Sequence, residues 1–134
     1  MRLENEVHEM IVQVMEWGRS GNMEKFLESH SGDYTRFSDL PPFTLQHHDL
    51  ALRLKGSLFS ELIDMEYSIK DLAIRIYSGV AVATYILEYS GVAVSGYTFE
   101  GRKIQKTARC TTVLRRESGR WVIVHEHLSD LPQR

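Results

Sequence analysis

Apolar residues recur at helical spacing from the start of the chain: Leu3, Val7, Met10, Ile11, Val14 and Trp17, with Glu4, Glu6, Glu9 and Glu16 between them. This is one buried stripe on an amphipathic helix. Gly18-Arg19-Ser20-Gly21 ends it, and Asn22 is placed to cap a second, short helix carrying Met23, Phe26, Leu27 and His30 on one face. Ser31-Gly32-Asp33 stops that helix, and Tyr34-Thr35-Arg36-Phe37 has the aromatic and β-branched content of a strand. Pro41-Pro42 admits no helix. Leu50, Leu54, Leu58 and Leu62 then predict a third helix from about His48 to Leu62, weakened modestly by Gly56.

Beyond residue 63 the period changes to two. Strands are predicted over Tyr67–Tyr77, with a break near Lys70-Asp71, and over Val80–Tyr89, Lys103–Arg116 and Arg120–Ser129. Gly91–Gly101 is expected as a loop, and Glu117-Ser118-Gly119 as a hairpin turn. Helices first and antiparallel strands afterwards predict a single α+β domain spanning residues 1–134, with three N-terminal helices packed on a curved, mostly antiparallel sheet.

Composition narrows the function classes. Hydrophobic residues are 43% and charged residues 25%, as in ordinary globular chains. A net charge of -2 gives no uniform basic surface, so nucleic acid is not the expected partner. Val80–Leu87, the most apolar segment, is too short to cross a bilayer, and the single Cys110 calls for no oxidising compartment. A cytoplasmic protein without membrane association is expected. No glycine-rich phosphate loop, GxSxG elbow or CxxC pair is present.

The order of elements resembles the nuclear transport factor 2-like architecture, and local residues agree. Gly119-Arg120-Trp121-Val122-Ile123-Val124-His125-Glu126-His127-Leu128-Ser129 is similar to the terminal strand of SnoaL-like and ketosteroid-isomerase-like proteins, and to the end of the calcium/calmodulin-dependent kinase II association domain. Arg19–Glu24 and Tyr34–Asp39 resemble the helix junction and first strand of that group. The resemblance implies a cone with a pocket between sheet and helices, in a homodimer built through the sheet.

It also implies candidate chemistry. Asp39 falls at the position of the carboxylate base of the isomerase branch, with a turn carboxylate as the alternative reading. The two oxyanion donors of that branch fall on Val14 and Thr111, a non-donor and a weak donor, which argues against steroid isomerisation. If Thr111 points inward, alternation sends Arg109 and Val113 the same way, and by the same logic the resemblance directs Val124, Glu126, Leu128, Tyr85 and Leu87 inward. Arg109 and Glu126 then meet inside, either as substrate anchor and catalytic acid or base, or as a structural ion pair. Tyr34 and Phe37 complete the expected lining.

His125-x-His127 shares one strand face, but His47, His48 and Asp49 belong to the third helix or its start, so no metal is expected. The resemblance places His125, His127 and Trp121 on the outer face, at the dimer interface. The resulting expectation is a cofactor-free isomerase, cyclase or hydro-lyase acting on a small hydrophobic carbonyl compound. The alternative is a non-catalytic ligand-binding or homo-oligomeric assembly module of the same fold.

Overall fold

The computed structural model describes residues 2–94 and 101–132. Helix α1 spans Arg2–Ser20 and buries Val7, Ile11, Val14 and Gly18, the stripe set by the heptad-like spacing. Gly21, at φ 81°, turns the chain into α2, Met23–Glu28, whose first turn is capped by the Asn22 side chain accepting from the Lys25 amide. The first strand, β1, spans His30–Phe37, and a short β2 covers Gln46–His47. Helix α3 runs His48–Glu61, followed by β3 Leu62–Tyr77, β4 Val80–Val94, β5 Gly101–Glu117 and β6 Arg120–Asp130.

These strands form one six-stranded sheet in the order β2-β1-β6-β5-β4-β3. All pairs are antiparallel except β1 with β6. Two hairpins close on two-residue turns with both residues at positive φ, Ser78-Gly79 and Ser118-Gly119; this is the backbone that matches strand twist. Asp64 and Asp71, also at positive φ, sit at irregularities of β3, so the strand bends near Lys70-Asp71 and continues rather than breaking. The sheet is curved, and the helices cover its inner face. Val7, Ile11, Phe26, Leu52 and Phe59 pack there on Tyr85, Leu87, Leu114, Trp121, Ile123 and Leu128.

Four local expectations are corrected. His30 begins β1 instead of extending α2, because its amide-side neighbour Ser29 already caps the helix and the Ser29 carbonyl accepts from Ile123 of β6. Gly91–Val94 is strand, paired with Ile104–Gly101, while the remainder of the expected loop, 95–100, lies outside the described residues. The buried face of α3 is Ala51, Leu52, Lys55, Gly56 and Phe59, not the leucine row, of which Leu50 is exposed. Finally, Trp121 lies on the inner face. The β5–β6 register skips Val124, and this bulge changes the phase, so Trp121 and Ile123 share a face with Glu126 and Leu128.

Candidate functional site

Strand register sets one row across the inner face. Gln46 pairs with Arg36, Arg36 with Glu126, Glu126 with Thr112, Thr112 with Ala83 and Ala83 with Ile74. The row is polar at the β2–β1–β6 end and apolar at the β3–β4 end. Because α3 crosses the polar end, its buried Lys55 drops onto Arg36 and Glu126.

The centre of this arrangement is the Glu126 carboxylate. Its Oε1 accepts from Tyr34 Oη at 2.6 Å, Arg36 Nη1 at 2.8 Å and Lys55 Nζ at 2.5 Å, and its Oε2 accepts from Thr112 Oγ1 at 3.3 Å. Tyr85 Oη lies 2.9 Å from Thr112 Oγ1 and extends the network into β4. Lys55 Nζ also lies 2.9 Å from His30 Nε2, and His30 Nδ1 is 2.8 Å from the Phe26 carbonyl oxygen. A carbonyl only accepts, so Nδ1 carries the proton and Nε2 is the acceptor for Lys55. Burial and the Lys55 charge hold His30 well below its ordinary pKa, so the ring is neutral.

Burial by itself would raise Glu126, but the Lys55 and Arg36 charges overcome it and hold the carboxyl well below the usual range. For Lys55, burial outweighs the attraction of Glu126 and, with the Arg36 charge, brings the ammonium down to about 8. Burial also raises Tyr34, with the Glu126 charge acting in the same direction. Arg36 and Lys55 against Glu126 leave this buried cluster with one more positive than negative charge when Lys55 is protonated.

Beside the cluster, between α3 and the β1–β2 end of the sheet, lies a compartment of about 220 Å³. Arg36, Asp39, Gln46 and Lys55 line it, with Leu40, Pro41, Leu54 and Leu58 as its apolar part. Asp39 is only 6% exposed; its Oδ2 accepts from Tyr89 Oη at 3.0 Å and lies 3.6 Å from Lys106 Nζ. Burial and the Asp39 charge push the Tyr89 phenol far above its ordinary pKa, which keeps it a donor. Gln46 donates through Nε2 to the Pro42 carbonyl at 3.0 Å, and its Oε1 is buried with no hydrogen-bond partner.

The other predicted residues divide by face. Tyr34, Tyr85, Leu87 and Leu128 are buried on the inner side, Tyr34 within the charged cluster. Arg109 and Thr111 are on the outer side with Thr84 and His127, because Thr112, not Thr111, stands opposite Glu126. A one-residue slip reverses every orientation on a strand, so Arg109 does not meet Glu126; Arg36 and Lys55 do. Phe37 is also outside, its ring 6.0 Å from that of His125 and 5.2 Å from that of His127. His125 Nδ1 is bonded to Thr35 Oγ1 at 2.8 Å. His47 is exposed and His48 is paired with Asp49; no cluster of three His, Cys, Asp or Glu side chains suited to a metal occurs among the described residues.

Arg36, Lys55, His30 and Gln46 were not singled out from the sequence. A signal existed for Lys55: Ala51, Leu52, Lys55, Gly56 and Phe59 form a helical face with a lysine at its middle. A larger groove of about 700 Å³ lies between α3 and the α1–α2 junction, lined by Met23, Leu27, Leu52 and Phe59, but its charged residues Arg19, Asp49 and Arg53 are exposed. No described helix is long and apolar enough to cross a membrane.

Residues 7–133 match the model of the SnoaL-like domain. A comparison with curated proteins by sequence gives no match. Among solved structures, the chain is similar to the calcium/calmodulin-dependent kinase II hub homology domain of Chlamydomonas reinhardtii, at 20% identity, TM-score 0.76, and coverage of 97% of this chain and 99% of that one. A proposed dehydratase of the nuclear transport factor 2-like family from Streptomyces avermitilis aligns at 13% identity and TM-score 0.81, covering 96% and 97%. An uncharacterised protein with a cystatin-like fold from Caulobacter vibrioides aligns at 17% and 0.74, covering 96% and 89%. At these identities the likeness is one of fold.

Proposed function

The chain belongs to the SnoaL-like domain family, and from that premise we propose that it is a cofactor-free enzyme that moves a proton beside the carbonyl group of a small polar substrate. The observation that carries this reading is one compartment lined both by a buried carboxylate, Asp39, and by two buried cations, Arg36 and Lys55. Proton abstraction next to a carbonyl needs a base at the carbon and positive charge at the oxygen. Asp39 serves as the base, oriented by Tyr89. Arg36 and Lys55 meet the oxyanion, taking the part for which Val14 and Thr111 are unsuited. Glu126 holds the two cations in place and is a positioning residue. A volume of about 220 Å³ suits a metabolite of few carbons, smaller than the usual ligand pocket of roughly 300 Å³ or more.

The test is solvent-deuterium incorporation at the carbon next to the carbonyl of pyruvate and dihydroxyacetone, followed by proton NMR. Wild-type protein is expected to exchange at least one of these probes, and Asp39→Asn to slow it by about a hundredfold or more. Exchange that survives in Asp39→Asn removes the assigned base.

A second reading, self-association through the outer sheet face, is supported by a separate observation. Phe37, Val82, Ile86 and Val113 remain partly exposed there, beside His127, Arg109 and Thr111. A buried free thiol at Cys110 is compatible with a cytoplasmic setting.

A further inference from the structure

Lys55 has an arrangement that an ion pair alone does not require. Its Nζ has two close polar partners, Glu126 Oε1 and His30 Nε2, both acceptors, while the faces of Phe26 and Tyr34 lie 5.5 and 5.8 Å away. A neutral amine has two N–H groups and one lone pair. The two acceptors take the N–H groups, which leaves the lone pair free. In that state Arg36 and Glu126 balance each other, and the surplus positive charge is gone. The charged and titratable groups facing Lys55 are Glu126 from β6, Arg36, His30 and Tyr34 from β1, and the Cys110 thiol from β5. Of these, Arg36 and the burial itself favour the neutral amine, while Glu126 opposes it. A lysine desolvated beside another cation is the usual form of an amine nucleophile. Lys55 also lines the compartment, together with Gln46 and Asp39.

We propose that Lys55 is a nucleophile that forms an imine with small 2-oxo acids in the Asp39 compartment. This deepens the reading above and rests on it for the entry of a carbonyl compound; Lys55 then bonds the carbonyl carbon instead of meeting the oxyanion, and the charge at the attacked oxygen is left to Arg36. The Nζ lone pair attacks the keto carbon, and the carbonyl π pair becomes an alkoxide. Nζ gives one proton to His30 Nε2, which hands it to the alkoxide to make a hydroxyl. That hydroxyl leaves with a solvent proton as water while the nitrogen lone pair forms the C=N bond. Overall an amine, a ketone and one proton give a protonated imine and one water, with no change of oxidation state. The protonated imine retains the surplus charge on nitrogen, and the carboxylate of the 2-oxo acid offsets it; this is why an acid, not a simple ketone, is the expected ligand class. The same imine is an electron sink for the proton that Asp39 removes.

The test is reduction with borohydride in the presence of pyruvate, followed by peptide mapping of the intact wild-type chain, with acetone as the uncharged probe. One reduced pyruvate is expected on Lys55, formed about tenfold faster at pH 8 than on the exposed Lys25, Lys70 and Lys103. Acetone is expected to label Lys55 more slowly. Equal labelling of all lysines, or none at Lys55, overturns the proposal; acetone labelling as fast as pyruvate overturns the acid class. Lys55→Arg, which keeps the charge, is expected to lose the adduct, and circular dichroism reports whether it folds. Asp39→Asn is expected to keep the adduct while losing deuterium exchange. Trapping without exchange in the wild type removes the proton-transfer reading alone, and exchange without trapping removes the imine alone.

Discussion

Replacing Glu126 by glutamine removes the only carboxylate among the described residues that touches Arg36 and Lys55, and leaves two buried cations without it. Losing one partner of a buried ion pair costs about 3–5 kcal/mol, because the remaining charge stays desolvated and unpaired. A loss near 4 kcal/mol is roughly three decades in the folding constant, a large part of the stability of a domain this size. Lys55→Met is the informative contrast. It removes the surplus cation, leaves Arg36 and Glu126 balanced, and orphans only the neutral His30 Nε2, a cost of about 1–2 kcal/mol. Glu126→Gln is therefore expected to be the more damaging substitution by about 2–3 kcal/mol. Urea unfolding followed by far-ultraviolet circular dichroism measures both, with the slope of the transition checked for constancy. Glu126→Gln also removes the charge that favours the Lys55 ammonium, so its stability should begin to rise with pH at a lower pH than in the wild type. If Lys55→Met costs as much as Glu126→Gln, Lys55 is a required counter-charge and the cluster holds no surplus cation.

Stability should fall on acidification: His30 and Glu126 both have lowered pKa values in the folded state, so the unfolded chain binds more protons below about pH 6.5 and again below about 4.5. Lys55, lowered to about 8, works in the same direction at higher pH, adding stability as pH rises from about 8 toward 10; thermal melts across this range check both limbs. Gly18→Ala should destabilise by about 1–2 kcal/mol despite the better helix propensity, since the added methyl would sit 2.7 Å from the Phe59 ring; equal or higher stability in urea would contradict that packing. Val113→Glu, on the outer sheet face, should shift sedimentation from dimer to monomer at micromolar concentration with little change in the unfolding of the subunit, and an unchanged sedimentation coefficient would remove the sheet from the interface.

The physical basis of what could be read from the chain is local. The stripe of Val7, Ile11 and Val14, the Asn22 cap, the turn at Ser118-Gly119 and the alternation in β4 each depend on neighbours within a few residues, and each was legible. Together with helix-then-strand order they sufficed for the α+β architecture. Asp39 and Glu126 could be named as candidates, but not their partners. Which side Arg109 and Thr111 face depends on the pairing of Thr112 with Glu126, and the side of Trp121 on one bulge at Val124. No periodicity announces such a bulge, because its cause is the pairing of β6 with β5. The buried cluster is still less local: His30, Arg36, Lys55 and Glu126 come from β1, α3 and β6, and only the crossing of α3 over the parallel β1–β6 pair brings them within hydrogen-bonding distance. The residue types were written in the chain; their charge balance, the lowered pKa of Lys55 and the compartment beside it were decided by tertiary packing, since desolvation and Coulomb energy act through space between segments far apart in sequence.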